Sequence, residues 1–302
     1  MPPMNAMSPL LSLAEMIRSL RTTLWSRGFV ELPTALIHEH DACPIFQRVE
    51  LKDGRFLKES GGLALRCNLE HHAKIFEIAQ CARKDDVDNT HLQQFTMLDL
   101  YQADATLEDA IELCKELVSM FYSGPTKSLS VAEHIKSDLG VDLISDTESE
   151  AKLQEILSSK YGEANASLFS LVNRYMTLEI EPLSQGCLLI VTDVPRVTES
   201  AGRQRPDAVG VARIAEFQID GIEVVQFIED ESDVDSYLER AKAQGHYGPE
   251  VEAVVDCLKK GKFAPHSAGF GIGLERLAMV SLGNSDIRAF MPSVDFIREI
   301  KR

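Results

Sequence analysis

Basic residues are in short supply in this 302-residue chain. Lys and Arg total 31 against 47 Asp and Glu, a formal charge of −16. That deficit excludes a free-standing nucleic-acid binder, because phosphate backbones are held by clustered Lys and Arg. Long apolar runs are missing too: none approaches the roughly 18 residues that a membrane span needs. The opening Met1-Pro2-Pro3-Met4 lacks the basic and apolar regions of a secretory signal. The six cysteines, Cys43, Cys67, Cys81, Cys114, Cys187 and Cys257, form no CxxC pair. A zinc ribbon and a thioredoxin-like motif are thereby excluded, and scattered thiols in an acidic chain point to a reducing, cytoplasmic setting. His38-Glu39-His40-Asp41 and His71-His72 set adjacent ligands on different sides of any regular element, and HExxH spacing is absent, so no metal centre is read there. What is present, 44% hydrophobic and 7% aromatic residues, describes an ordinary globular core.

Along the chain, apolar residues recur at three- and four-residue steps over 9–28 (Leu10, Leu13, Met16, Ile17, Leu20, Leu24), predicting an amphipathic helix. Strands are expected at 29–32, 74–78, 95–101, 187–193 and 211–228, with a hairpin over 48–57 turning at Asp53-Gly54. Helices are expected at 62–72, 106–122, 130–139, 148–161, 232–243, 248–260 and 274–282. No repeat, low-complexity linker or composition shift divides residues 1–302, which read as one domain. Hairpin-paired strands with helices segregated between them predict an α+β fold on an antiparallel sheet.

Three constellations carry chemistry. In the first, period-two alternation puts Glu77, Ala79, Cys81 and Arg83 on one face of a strand, and Phe95, Met97, Asp99 and Tyr101 on one face of the returning strand. The polar loop between them, Lys84 to Gln93, is long for a hairpin, and such length invites either a functional role or a plain surface excursion. In the second, Asp220-Gly221 is a two-residue hairpin turn that sets Glu216, Gln218 and Glu223 on one face. Carboxylates so placed can share a hard cation such as Mg²⁺, or simply face solvent. The third is Gly269-Phe270-Gly271-Ile272-Gly273 followed by Leu274-Glu275-Arg276. Glycines permit close backbone approach, and Arg276 in the first helical turn would meet a phosphate. Its GxGxG spacing is not the GxGxxG of a dinucleotide fold.

Taken in order, these segments resemble the catalytic domain of the class II aminoacyl-tRNA synthetases over roughly residues 14 to 296. The lysyl branch, and the stand-alone lysyl-synthetase-like paralogues such as those that modify elongation factor P, are the most similar in pattern. Residues 75–83, His91 and 95–101 look like motif 2, and 269–276 like motif 3. Thr192-Asp193-Val194-Pro195 and the Glu216/Glu223 hairpin match the lysyl pattern between them.

The resemblance implies an ATP- and Mg²⁺-dependent ligase that forms an acyl-adenylate. Arg83 would clamp the α-phosphate and the substrate carboxylate, with Asp85 beside it. His91 and Arg276 would hold the γ-phosphate end, Phe95 would stack on adenine, and Gly273 would border the nucleotide. Glu216 and Glu223 would bind Mg²⁺. Asp99, Tyr101 and Glu229 would receive a side-chain amine near Gly271, favouring a lysine-like or diamino acid. Gln226 would contact the substrate carboxylate, which requires a β-bulge after Glu223.

Four positions depart from the pattern: Asp85 for a Glu, Gln94 for a Glu, Gly62 where an acid would meet the α-amine, and Pro33 two positions ahead of the motif 1 proline. A homodimer is implied through motif 1. With no N-terminal anticodon-reading OB-fold expected and a charge of −16, the expected acceptor is a protein lysine, a carrier-protein thiol or a small amine rather than tRNA. An asparagine-synthetase-like amidating paralogue and a catalytically silent regulatory subunit are the alternatives.

Overall fold

A computed structural model describes residues 7–39, 48–245, 247–262, 264 and 266–291. His40, Asp41, Cys43 and the last residues of the motif resemblance, 292–296, lie outside the described residues.

Helix α1 (Pro9–Ser26) starts as its sequence dictates: Ser8 caps it by accepting from Leu11 N, and Pro9 supplies a pre-set φ at the first position. It buries Leu13, Met16, Leu20 and Leu24, leaves Leu10 exposed, and stops at Gly28, whose φ is +81°. Strand β1 (Val30–Glu31) and a small hairpin of β2 (Ile37–His38) with β3 (Phe56–Leu57) follow. Helix α2 (Gly62–Cys67) ends five residues earlier than its pattern suggested, because Asn68, Leu69 and His71 N–H groups bond three residues back and tighten the chain into turns.

The long hairpin is β4 (Lys74–Ala82) and β5 (Gln94–Ala103). Helix α3 (Leu107–Ser119) opens with a capping box of Thr106 and Asp109. Next come β6 (Thr126–Ser130), α4 (Val131–Leu139), α5 (Ser149–Tyr161) and α6 (Leu168–Tyr175). The last of these runs straight into a π-helical turn, Met176–Ile180, and a 3₁₀ turn at Glu181–Ser184. The chain closes with β7 (Leu188–Thr192), β8 (Ile214–Ile219), β9 (Ile222–Glu229), α7 (Val234–Ala243), α8 (Pro249–Lys259), β10 (Ser267–Gly273) and α9 (Leu274–Ser281). Strand β6, helix α6 and the π-turn were not foreseen from sequence.

The large sheet has eight strands in the order β1-β4-β5-β10-β9-β8-β7-β6. Its six central strands are antiparallel, as expected. The edges differ: β1 joins β4 in parallel, and β6 joins β7 in parallel. Both parallel pairs are linked by long crossovers, which parallel pairing requires. One face of the sheet carries the main core, where Phe76, Leu98, Leu100, Phe270 and Ile272 pack against α1, α3 and α9. Phe217, Phe227 and Phe270 line up across β8, β9 and β10, with ring centroids 4.7 and 5.5 Å apart. A second cluster joins α4, α5 and α6 to β7.

The opposite face is held by charges. Lys58, 2% exposed, donates to both oxygens of Glu77 at 2.9 Å and to Thr34 Oγ1 at 3.0 Å. Breaking such a pair from one side strands the other charge. Lys58→Met should lower unfolding free energy by about 3–5 kcal/mol, and adding Glu77→Leu should restore part of the loss. Urea denaturation followed by circular dichroism checks both, and a single-variant loss below about 1 kcal/mol would contradict a dry pair.

Candidate active site

Above the charged face lies a cavity of about 720 Å³, bordered by the β4–β5 loop, β8, β9, β10, the start of α9 and the end of α6. Its floor is the glycine face of β10. Gly269, Gly271 and Gly273 alternate with Ala268, Phe270 and Ile272, whose side chains enter the core; the bare backbone of Gly271 and Gly273 faces the cavity, and Gly269 lies against the Tyr101 ring. Gly271 lies between Asp99 of β5 and Gln226 of β9. A Cβ at Gly271 would fall 2.4 Å from Met97 Cε, and one at Gly269 would fall 2.5 Å from Leu100 O.

The β4–β5 loop is organised, not a loose excursion. Asp88 accepts from Thr90 N at 2.6 Å and His91 N at 2.8 Å, and its carboxylate meets His91 Nδ1 at 3.0 Å. Those bonds outweigh the cost of burial and hold Asp88 down at about 2. Arg83 lies over the Phe95 ring, 5.1 Å from its centroid, and donates to Glu59 O at 3.3 Å. Arg276, in the first turn of α9, donates to Thr90 O at 3.1 Å and Glu223 O at 2.9 Å, tying the loop to β9. These carbonyls orient the guanidinium without neutralising it. Next to Arg276, buried Glu275 accepts from Thr96 N and Oγ1 at 2.7–2.9 Å and fastens α9 to β5.

The β8–β9 hairpin turns at Asp220-Gly221 as expected and pairs Gln218 with Glu223. The register then shifts, so that Phe217 faces Val225 and Glu216 faces Gln226. This is the bulge that Gln226 needed, and it brings Glu216, Glu223 and Gln226 to the cavity together. Gln218, fully buried, donates to Glu216 Oε2 at 2.7 Å. Burial and the neighbouring Glu223 charge push the Glu216 carboxyl well above its ordinary value. Two carboxylates side by side at the cavity wall suit a divalent cation with oxygen ligands. Among the described residues no three His, Cys, Asp or Glu side chains form a ready-made cage. A two-carboxylate site that takes its remaining ligands from phosphates and water needs none.

Ten residues singled out from sequence line this cavity: Arg83, Asp85, His91, Phe95, Glu216, Glu223, Gln226, Gly271, Gly273 and Arg276. Three do not. Asp99 lies on the cavity side of the sheet but is buried beside the cavity, with its oxygens taken by Gly61 N at 2.7 Å and Ser60 Oγ at 3.2 Å, and burial pushes it up to about 6. Tyr101 packs with Leu65, Leu69 and Ile75. Glu229 is a correction: past the bulge it falls on the opposite face from Gln226, where it accepts from Leu107 N at 3.0 Å and pairs with Arg213 at 3.0 Å and Arg203 at 3.3 Å. It caps α3 instead of meeting a ligand. The next residue, Asp230, is buried, and its charge reaches Tyr101 together with that of Asp99. It accepts from Ser267 Oγ at 2.6 Å, lies 3.3 Å from Arg66, and its Oδ1 has no hydrogen-bond partner among the described residues.

Two further acids border the cavity that sequence reasoning missed. Glu181 follows the π-helical turn, and Glu199 lies in the loop after β7. No spacing marks either. The nearest signal was Pro182, which ends the helical register and leaves Glu181 at the last position before the break. π-Helical turns are rare and recur at functional sites.

The family model of class II tRNA synthetases (D, K and N) matches residues 5–293. The chain belongs to that family. It is 26% identical over 311 residues to a lysine–tRNA ligase of Thermotoga maritima, covering 91% of this chain and 60% of that protein. A lysine–tRNA ligase of Saccharolobus solfataricus is 26% identical over 323 residues, covering 91% and 62%. This chain therefore spans about 60% of the length of the curated relatives it matches. The family fold, an α+β domain on a mixed sheet, is the one described above. Among the described residues, no helix of this synthetase-family chain is long and apolar enough to cross a membrane.

The raised Glu216 carboxyl has a testable sign. A folded-state value above the unfolded one means stability is lost as pH climbs between the two. Melting temperature should therefore fall more for the wild type than for Glu216→Gln between about pH 5 and pH 8, with the gap widening steadily. Parallel profiles would show that Glu216 ionises normally.

Proposed function

We propose that this chain is an amino acid-activating ligase that uses ATP to form an aminoacyl-adenylate. The supporting observation is the arrangement around the cavity. Arg83 over Phe95 and carbonyl-anchored Arg276 border the same cavity as the acid pair Glu216 and Glu223. In the proposed step a substrate carboxylate oxygen attacks the α-phosphorus of ATP. The bond from that phosphorus to the bridging oxygen breaks, and pyrophosphate leaves with the electron pair. Nothing in the step needs a strong acid or base; it needs alignment, and positive charge where negative charge accumulates.

Arg83 serves the α-phosphate and the carboxylate, Phe95 the adenine face, and His91 with Arg276 the far phosphates. Glu216 and Glu223 would hold Mg²⁺, whose contribution when bound is to neutralise phosphate charge. The adenine face of Phe95 shares its ring with the Arg83 guanidinium, so base and phosphate recognition are set by one stack. Acids around the cavity favour a lysine-like or diamino acid over an acidic one, by like-charge repulsion.

The proposed acceptor is not tRNA but a protein lysine, a carrier-protein thiol or a small amine. A charge of −16 leaves little basic surface for a polyanion, and the cavity adds Glu181 and Glu199 to that balance.

Amino acid-dependent exchange of pyrophosphate into ATP tests the reading. Exchange is expected with at least one member of a panel of α-, β- and diamino acids, and Arg83→Ala should cut it by about 100-fold or more. No exchange across the panel would overturn the activity. Charging of bulk tRNA at the rate of the exchange reaction would overturn the choice of acceptor.

A further inference from the structure

Strand β8 buries a glutamine where its surroundings would accept an apolar residue. Gln218 is fully buried, with Phe217 and Ile219 in the core on either side of it and Leu189 of β7 opposite. It also stands between the two cavity acids. Glu216 precedes it by two positions on β8, and Glu223 faces it across the hairpin, where the register shifts. Its Nε2 donates to Glu216 Oε2 at 2.7 Å. Its Oε1 is buried and has no hydrogen-bond partner among the described residues.

Buried polar groups are almost always satisfied, and an unmet acceptor destabilises the fold. Methionine or leucine would fill similar space without that penalty, so stability does not account for the amide. What the amide supplies is an N–H, and that N–H goes to Glu216. Gln218 does not line the cavity, whereas Glu216 and Glu223 do. One oxygen of Glu216 is therefore held by a group inside the sheet. The other, Oε1, has no hydrogen-bond partner among the described residues. Hard cations differ in what they ask of such a carboxylate. Ca²⁺ takes one or both oxygens in flexible geometry, while Mg²⁺ is smaller and demands a near-ideal octahedron. Groups behind a ligand set its orientation and with it the affinity of the metal.

We propose that Gln218 is a positioning residue for the cation held by Glu216 and Glu223. By engaging Oε2 it leaves Glu216 a one-oxygen ligand, which favours Mg²⁺ over Ca²⁺. The inference rests on the reading of that acid pair as the Mg²⁺ site of the ligase.

Displacement of Mn²⁺ tests it, read by electron paramagnetic resonance on the full chain with a non-hydrolysable ATP analogue bound. Mg²⁺ and Ca²⁺ are titrated in as competitors. The nucleotide binds both cations by itself, equally in every sample, so a difference between proteins reports the carboxylates. Wild type should prefer Mg²⁺ over Ca²⁺ more strongly than the free analogue does. Gln218→Met keeps the side-chain length and loses the N–H; it should lower that preference by about tenfold. Gln218→Leu should do the same, and thermal unfolding in EDTA reports that each variant folds. A preference unchanged in either folded variant would overturn the inference, as would a wild type no more selective than the free analogue. Failure of the wild type to hold Mn²⁺ beyond the analogue alone would overturn the cation site and this inference with it. The expected selectivity without any amino acid-dependent pyrophosphate exchange would count against the ligase reading alone.

Discussion

The cavity depends on a strand that has no side chains on one face past Ser267. Strand β10 runs through the middle of the sheet, between β5 and β9, yet Gly269, Gly271 and Gly273 carry none, so Tyr101 packs against the first and the cavity borders the other two. Glycine within a strand costs about 0.5–1 kcal/mol relative to alanine at each site. The lower surface offsets that cost with Phe270 in the three-ring row and Ile272 in the core. Replacing any of these glycines with a larger residue would fill the floor, and Gly269 has backbone within 2.5 Å of where a Cβ would go. The same strand ends at the helix that carries Glu275 and Arg276. One buried carboxylate, bonded to Thr96, therefore fixes the floor, the β5 wall and Arg276 relative to one another.

A second constraint sorts the acids. Without the register shift between Phe217 and Gln218, Glu223 and Gln226 would point to opposite faces. The extra residue on β9 brings both to the cavity and sends Glu229 to the far side, where it caps α3. Acids that in a regular hairpin would be spread over both faces are thereby partitioned. One group has firm cationic partners, such as Glu229 with Arg213 and Glu231 with Arg240; the other, Glu216 with Glu223, faces the cavity and raises its own cost of ionisation.

Much of this was legible in the sequence because it is local. The Asp220-Gly221 turn, the period-two faces of the long hairpin and the GxGxG strand each depend on neighbours within a few residues, and each lies where its pattern put it. Gln226 was read as needing a bulge, and the bulge exists. Glu229 was placed in the pocket by resemblance; past the bulge it falls on the other face, where it meets Leu107 N and Arg213. Asp99 was read on the correct face, but its partners, Gly61 N and Ser60 Oγ, lie 38 and 39 positions away, and no spacing announces them. Glu181 follows a π-helical turn, a backbone form that no residue type or spacing in 168–181 announces. The parallel edges likewise depend on how long crossovers fold back, which period and propensity do not encode.

The acidity of the chain acquires a location from these facts. Most carboxylates that the fold buries have a cation beside them: Glu77 with Lys58, Glu59 with Arg48, Glu229 with Arg213, Glu231 with Arg240, Asp230 with Arg66, while Asp99 and Glu275 are held by N–H and O–H donors. The half-buried acids Glu181, Glu199, Glu216 and Glu223 border one cavity, where desolvation and, for Glu181 and Glu216, the Glu223 charge push carboxyls above their ordinary values. Against them stand Arg83, over the Phe95 ring, and Arg276, anchored by two carbonyls. On the proposed ligase reading the ligand set would itself be mixed, with phosphates for the arginines and cations for the acids. A metal-bound nucleotide would supply the first together with part of the second, and an amine-bearing acid the rest, so each would lower the electrostatic cost of admitting the other.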